Sequence, residues 1–151
     1  MVDISCINRY FGWYRQTGQL EKIEQLIVEN LVEFANAYPD KPIIVTEYGA
    51  EAISGLHSSF SNLYSEDYQV DVLMKTHSAY DAFHQMNATM METKLIGELV
   101  WNYADFAARP RDLTRTNGLN NKGIFNRDRQ PKASAHIIRK RYLEMIERLK
   151  N

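Results

Sequence analysis

A single carboxylate stands at the end of an apolar, strand-like run in the segment PIIVTEYG, residues 42–49. Ionised side chains are seldom fully buried without a partner, so Glu47 is paired, solvated or positioned for chemistry. Two other strand-like runs end similarly, in NRYFGWY and in WNYADF. Aromatic, amide and carboxylate side chains at strand ends suit a sugar site, where flat rings cover C–H faces and polar groups bind hydroxyls.

Glycoside hydrolysis needs two carboxyl groups, which stand about 5–5.5 Å apart in enzymes that retain the anomeric configuration. Glu47 fits either role by its position alone. Glu98 and Asp105 are other carboxylates near a strand end, and we interpret Glu98 as structural and Asp105 as a brace against Arg109 or Arg111. The sequence has no P-loop, dinucleotide fingerprint or GxSxG elbow, and its histidines lack paired metal-ligand spacing. We therefore expect no cofactor and no metal.

Strand–helix alternation must position these residues, and it favours a parallel sheet covered by helices. In such folds, functional sites lie at the carboxyl ends of the strands. The strands are predicted at residues 2–10, 43–48 and 95–101, and the helices at 18–38, at 65–90 and from about 134. The long loop at 102–131 is a second candidate for function, since long loops in compact domains are commonly functional.

Composition and charge narrow the class of protein. The 151 residues carry a net charge of −1, which supplies no global field for nucleic acid or a membrane. Twelve of the 18 lysines and arginines lie from Arg109 onward, and we assign them to one solvated helix face and the preceding loop. The lone cysteine, Cys6, cannot form an internal disulfide and is expected to be an inert core thiol.

Four motifs, in this order, resemble the closing segment of the β-glucuronidases of glycoside hydrolase family 2: NRYFGWY, IIVTEYGAEAISGLHS, GELVWNYADF and NKGIFNRDRQPK. The resemblance covers nearly the whole chain and extends into QPKASAHIIRKRY, which is similar to the last helix of the family's barrel. It implies an α/β fold, namely the C-terminal portion of a (β/α)8 TIM barrel, about strands six to eight with their helices.

The same resemblance implies roles for residues at the strand ends. In the family, the Glu of TEYG is the catalytic nucleophile, which assigns that role to Glu47. Asn8, Tyr10 and Tyr14 match residues of the sixth strand that line the site, and Tyr10 is expected to hold Glu47 by a hydrogen bond. Trp101 matches the aromatic residue at the end of the eighth strand that contacts the sugar.

The family reads its substrate's carboxylate with an Asn-x-Lys motif, which corresponds here to Asn120 and Lys122. An amide donor beside an ammonium suits an anion, whereas a neutral sugar would leave the lysine without an ionic partner. This sequence departs from the pattern at two points. Asn121 stands where relatives often have Lys, and Arg115 lies one position further from the motif than the family's usual Arg.

The implied function is retaining hydrolysis of β-D-glucuronides to D-glucuronate and an alcohol. A complete barrel takes about 250 residues. We therefore expect residues 1–151 to form a partial TIM-barrel catalytic domain, without the family's N-terminal sandwich domains and first barrel strands. The family's acid/base Glu follows an Asn, and no Asn-Glu pair occurs in this sequence. The isolated chain is accordingly expected to be inactive or weak.

Alternatives to this function remain open. The chain could be a non-catalytic partial barrel that binds acidic sugars or docks with a complementing chain. It could also belong to a β-galacturonidase or β-galactosidase of the same family. The expected partner is a β-glucuronide substrate rather than nucleic acid or a membrane, and a homo-oligomer is expected for the full-length enzyme. The compartment is open, and a bacterial source would make it cytoplasmic.

Overall fold

A three-stranded parallel sheet carries the strand-end residues. The computed structural model describes residues 2–90, 94–109 and 115–150. The strands are β1 (Ser5–Asn8), β2 (Ile43–Tyr48) and β3 (Leu95–Val100), in the order β1-β2-β3. Both strand pairs are parallel, which confirms the arrangement predicted from the alternation of strands and helices.

The residues divide into two compact units. The first consists of Met1–Gly49 with Lys75–Trp101 and contains the parallel sheet. The second consists of Ala50–Met74 with Asn102–Asn151.

Strand β1 is shorter than the predicted run 2–10 because side chains before Ser5 do not alternate into the core. Val2 and Ile4 are exposed, and Ile7 is the β1 residue that is buried. Cys6 therefore points to the opposite face of the strand and is exposed. The prediction that it is a core thiol is wrong.

Helix α1 (Ile23–Ala37) follows a 3-10 turn at Leu20–Lys22. Its start lies later than the predicted residue 18 because Gly18 has a φ of +79°, outside the helical region. The buried side chains Ile23, Ile27, Leu31 and Ala35 recur every four residues, as expected for the core stripe of a surface helix.

Helix α2 (Glu66–Met90) begins at a capped turn. The Ser65 hydroxyl accepts a hydrogen bond from the Tyr68 backbone N–H at 3.0 Å, which satisfies one of the unpaired donors of the first turn. In the first unit, the later part of α2 packs behind β2. There the Tyr48 ring makes edge contacts with His77 and Tyr80, and its hydroxyl lies 3.0 Å from His77 Nε2.

The second unit contains helix α3 (Ala133–Arg148) and a short antiparallel pair, β4 (Phe106–Ala107) with β5 (Leu119–Asn120). A 3-10 turn at Thr116–Gly118 precedes β5. The segment 102–131 was predicted as a loop without its own structure, and this is wrong where it is described. Backbone groups that leave the main sheet need new partners, and β4 and β5 supply them to each other.

A buried carboxylate anchors the start of α3. Glu66 accepts hydrogen bonds from the backbone N–H groups of Gly55 at 2.7 Å and Ala133 at 2.6 Å. An anion beside the first N–H groups of a helix is favourable because they carry partial positive charge. Within the described ranges, no helix combines the length and the apolar composition needed to cross a membrane.

Candidate active site

A bulge in β2 sets the direction of Glu47. Ile7 pairs with Val45, but the next residue of β1, Asn8, pairs with Glu47, so Thr46 is the extra residue. Burial follows the same break, since Ile43, Val45 and Tyr48 are buried whereas Thr46 and Glu47 are both half-buried. Bulges commonly re-aim a side chain near an active site. Here the bulge keeps Glu47 off the face that Tyr48 buries against α2.

Tyr10 holds the Glu47 carboxylate. Its hydroxyl donates a hydrogen bond of 2.6 Å to Glu47 Oε2, the short distance typical of a charged acceptor. The Tyr14 ring lies edge-on to the Tyr10 ring at a centroid distance of 5.0 Å, and more than half of Tyr14 is exposed. The hydrogen bond expected between Tyr10 and Glu47 is thus present.

Asn8 is oriented by a residue that the sequence did not single out. The Thr46 hydroxyl lies 2.6 Å from Asn8 Oδ1 and 3.1 Å from the carbonyl oxygen of Ile7. Thr46 thus fixes the oxygen of the Asn8 amide, and Asn8 is itself exposed at the strand end.

The glycine of TEYG is required by its backbone. Gly49 has a φ of +137°, which side-chain-bearing residues rarely adopt, and a Cβ there would lie 2.9 Å from the Trp101 carbonyl oxygen. Next to it, the Trp101 backbone N–H donates to the Tyr48 carbonyl at 2.9 Å. Trp101 is therefore attached through its backbone to the strand that carries Glu47, and its side chain is half-buried.

In the second unit, the Asn-x-Lys motif begins in β5 and is buried. Asn120 Oδ1 accepts a hydrogen bond from the Lys122 backbone N–H at 3.2 Å, which closes a tight turn around the motif. The Lys122 ammonium lies 2.8 Å from Glu51 Oε1, and both residues are at most 2% exposed. Arg115 also donates to Glu51 Oε1. The internal acid was not anticipated, because Lys122 was expected to take its ionic partner from a substrate.

A second buried ion pair supports the same motif. The Lys132 ammonium donates to Asp105 Oδ1 at 2.9 Å and to the carbonyls of Ala52 and Asn121 at 2.6 and 3.0 Å. Asp105 Oδ1 also accepts from the Gly123 backbone N–H at 2.9 Å. Asp105 is thus a brace, as predicted, but its described cationic partner is Lys132 rather than Arg109. Arg111 lies outside the described residues.

Burial shifts both members of this pair away from their charged forms. Loss of water raises the pKa of the Asp105 carboxyl above its ordinary value, against the opposing attraction of Lys132. Loss of water likewise lowers the pKa of the Lys132 ammonium, although its hydrogen bond and charge interaction with Asp105 act in the other direction. Glu98 is also buried, in keeping with a structural role.

The structure therefore joins the predicted residues in two groups. In the first unit, Tyr10, Tyr14 and Glu47 are linked by direct contacts, Asn8 through Thr46 and Trp101 through its backbone. In the second unit, Asn120, Lys122 and Arg115 lie around Glu51. Sequence reasoning missed Thr46, Glu51 and Lys132. The available signal for Glu51 was a second carboxylate four positions after Glu47, among small and apolar residues.

Comparison with known proteins identifies the family. The family model "Glycosyl hydrolases family 2, TIM barrel domain" matches residues 1–147. The β-glucuronidase of Streptococcus agalactiae is 41% identical over 143 residues, which are 95% of this chain and 22% of that protein. The solved β-D-glucuronidase of Dictyoglomus thermophilum superposes with a TM-score of 0.81 at 38% identity, covering 93% of this chain and 22% of that one.

A further solved structure contains a ligand. It is the β-glucuronidase of Bifidobacterium dentium complexed with coumarin-3-O-glucuronide, with a TM-score of 0.81, 37% identity, and coverage of 95% of this chain and 21% of that one. The chain spans about a fifth of the length of these relatives. By the match of the family model to nearly all of its residues, the chain belongs to the glycosyl hydrolases of family 2 and forms part of their TIM barrel domain.

Proposed function

We propose that this chain supplies the nucleophile and part of the sugar site of a retaining β-glucuronidase. The observation that carries the proposal is the end of β2, where Glu47 is half-buried and its Oε2 accepts a 2.6 Å hydrogen bond from Tyr10. A carboxylate held in one orientation at a strand end has the arrangement that nucleophilic attack on a sugar requires. The similarity to β-glucuronidases over 95% of the chain supports a β-glucuronide as the substrate.

The reaction would proceed in two steps. Glu47 attacks the anomeric carbon, the bond to the aglycone oxygen breaks, and an ester between Glu47 and the glucuronosyl group forms. Water then hydrolyses this ester and releases D-glucuronate with the original β configuration. A second carboxyl group protonates the leaving oxygen in the first step and activates water in the second.

The second carboxyl group is expected from outside this sequence, which has no Asn-Glu pair. General acid–base catalysis typically contributes about 10²–10⁴-fold in rate. We therefore expect the isolated chain to hydrolyse glucuronides weakly or not at all. Joined to a segment that carries the acid/base Glu, it should regain activity.

The uronate carboxylate is assigned to the second unit. Asn120, Lys122 and Arg115 provide an amide and two cations, which suit recognition of an anion. The glucuronide-bound relative from Bifidobacterium dentium supports this substrate class. A β-galactosidase of the same family would act on a neutral sugar and have no use for these cations, whereas a β-galacturonidase would use them equally.

One observation favours a second candidate, a non-catalytic partial barrel that docks with a complementing chain. β1 and β3 are the outer strands of the described sheet, and apolar side chains of β3, Ile96 and Leu99, are about half exposed. Unpaired outer strands are ready to add a further strand. Such a module would bind acidic sugars or its partner without turnover.

A complementation assay tests the catalytic proposal. The chain is assayed with chromogenic β-glucuronide, β-galacturonide and β-galactoside, alone and mixed with the preceding part of the Streptococcus agalactiae β-glucuronidase. We expect weak or no hydrolysis alone, restored hydrolysis of the glucuronide in the mixture, and its loss in Glu47→Gln. Glu29→Gln, an exposed acid on α1, is the matched control and should behave like wild type.

A stable mixed complex that hydrolyses none of the three substrates would favour the docking module and reject the catalytic proposal. Equal turnover by wild type and Glu47→Gln would show that Glu47 is not the nucleophile. Preferred hydrolysis of the galacturonide or the galactoside would reassign the substrate.

A further inference from the structure

One carboxylate oxygen gathers two cations in the second unit. Glu51 Oε1 accepts from the Lys122 ammonium at 2.8 Å and from Nη1 of Arg115. Glu51 is 2% exposed and Lys122 is 1% exposed, while a fifth of the Arg115 side chain is exposed. The fully buried part of this group is therefore an ammonium and a carboxylate, and the guanidinium is the part that reaches solvent.

Burying Lys122 depends on that carboxylate. An ammonium taken out of water without a counter-charge costs several kcal/mol, so a buried lysine needs an anion in contact. Glu51 meets this need at a fixed place, because the Ala52 backbone N–H donates to the Asn121 carbonyl at 2.9 Å. That bond joins the residue after Glu51 to the residue before Lys122. The acid and the motif are thus held in register by both backbone and side chains.

We propose that Glu51 is a positioning residue for anion recognition. It holds Lys122 and Arg115 on one carboxylate oxygen, so that a sugar carboxylate that enters beside the partly exposed Arg115 can share the same two cations. The inference rests on the proposed function only in taking Lys122 as a uronate contact. Glu51 itself touches no substrate, and its effect is the preference for a uronide over the neutral sugar of the same shape.

The preference is measured as the ratio of two affinities. Methyl β-D-glucuronide and methyl β-D-glucoside differ only at the carboxylate, and each is titrated into the 151-residue chain by NMR. All variants carry Glu47→Gln so that the ligand is not consumed. We expect Glu51→Gln to reduce the preference for the glucuronide by about tenfold or more, by analogy with side chains that orient metal ligands, whose removal typically costs about 10–100-fold in affinity. Glu51→Asp keeps the charge and should restore part of the preference.

Glu66→Gln is the matched control. Glu66 is also a buried acid of the second unit, but its described hydrogen bonds come from the backbone N–H groups of Gly55 and Ala133. We expect this variant to lose stability and to keep the preference for the glucuronide. A folded Glu51→Gln variant with an unchanged preference would overturn the proposal, and so would an equal loss of preference in Glu66→Gln.

A measurement on the chain with native Glu51 covers the case in which Glu51→Gln does not fold. The ammonium resonance of Lys122, assigned by its disappearance in Lys122→Arg, should shift with the glucuronide and stay in place with the glucoside. No shift with either ligand would reject the proposal.

The two proposals fail separately. If the complementation assay shows hydrolysis and Glu51→Gln has no effect on the preference for the glucuronide, the catalytic proposal stands and the proposed role of Glu51 is rejected. If the preference for the glucuronide depends on Glu51 but no mixture hydrolyses it, the proposal for anion recognition stands and the catalytic proposal is rejected.

Discussion

Tyr10 and Glu47 are 37 positions apart in the chain, yet they share a 2.6 Å hydrogen bond because β1 and β2 are parallel neighbours. Their strand ends lie at the same edge of the sheet. A nucleophile must present one oxygen along the line of attack, and a donor on the other oxygen restricts its rotation. At the residue scale, the Tyr10 phenol would therefore orient Glu47 in its proposed role as the nucleophile.

Replacing Tyr10 by Phe removes this donor and keeps the ring that Tyr14 contacts. A hydrogen bond to a charged group contributes about 1.5–3 kcal/mol, which corresponds to roughly 10–100-fold in rate. We expect kcat in the complementation assay to fall by that factor, with a smaller change in KM. Tyr38→Phe, an exposed tyrosine after α1, is the control. A Tyr10→Phe variant with wild-type kcat would show that the hydrogen bond does not orient Glu47 for catalysis.

Side-chain contacts were predictable where a residue marks a strand end. Glu47 stands out because it follows an apolar run, and its family resemblance names the tyrosine that approaches it. Glu51 and Lys132 could not be predicted in the same way, since their partners come from distant segments. Glu51 lies 71 positions from Lys122, and Lys132 lies 27 positions from Asp105. Hydrophobic periodicity along a segment does not indicate contacts with such distant residues.

At the scale of elements, the buried pair of Asp105 and Lys132 joins the start of α3 to Asp105, which precedes β4. The pair closes around the backbone of Asn121 and Gly123. Gly123 has no room for a side chain, because a Cβ there would collide with the backbone of Ala104 and Asp105. The Asn-x-Lys motif is thus positioned by polar contacts to a buried ion pair and by close backbone packing.

Breaking one side of this pair should be more harmful than removing both. Asp105→Asn leaves a buried ammonium without its counter-charge, and Lys132→Met leaves a buried carboxylate. We expect each single variant to lose about 3–5 kcal/mol of unfolding free energy and the double variant to lose less than either of them. Urea unfolding of the four proteins measures the coupling, and additive losses would contradict it.

The same pair gives unfolding a defined pH dependence. Because burial raises the pKa of Asp105, the folded chain keeps a proton that the unfolded chain has released, and stability falls as pH rises across that window. Because burial lowers the pKa of Lys132, the folded chain releases its proton first, and stability rises with pH between the lowered and the ordinary lysine values.

The unfolding free energy of wild type, compared with that of the double variant, should therefore be lowest at pH values between the range in which Asp105 titrates and the range in which Lys132 titrates. Urea unfolding repeated across pH checks this. A constant difference between the two proteins at all pH values would mean that the pair does not titrate in these windows.

The elements themselves were predictable from periodicity, but some of their ends were not. β2 was predicted at its observed bounds because its β-branched run is short and ends at a glycine. The start of α1 was placed too early because the left-handed backbone of Gly18 cannot be read from hydrophobic spacing. β4 and β5 are two residues each, too short to leave any pattern in the sequence.

At the scale of the whole molecule, the described sheet has open outer strands in β1 and β3. We expect the isolated chain to self-associate with increasing concentration, since unpaired strands recruit further strands. Ile96→Lys places a charge on β3 and should reduce association, whereas Leu149→Lys, an exposed site beyond α3, should not. Sedimentation velocity distinguishes these outcomes, and a strictly monomeric wild type at all concentrations would contradict them.

The fold class could be predicted from the sequence because three strand-end motifs and one loop motif occur in the same order as in the family. Each motif marks a different element. The substrate-recognition chemistry was only partly within reach. Lys122 was predicted from its motif to contact the substrate's carboxylate, and that role stays a prediction. The sequence did not indicate that Glu51 already forms an ion pair with Lys122. Pairings of this kind appear only when distant segments are brought together.

The bulge at Thr46 makes the length of β2 as important as its composition. Substitutions at Ile44 or Val45 would leave the register of β2 against β1 unchanged. Inserting one residue between Val45 and Glu47 would instead shift Glu47 by one position in that register. Because side chains alternate along a strand, a shift of one position exchanges the faces to which Glu47 and Tyr48 point. A relative with an insertion or deletion in this segment is therefore expected to have displaced the proposed nucleophile, even if every residue of the TEYG motif is present.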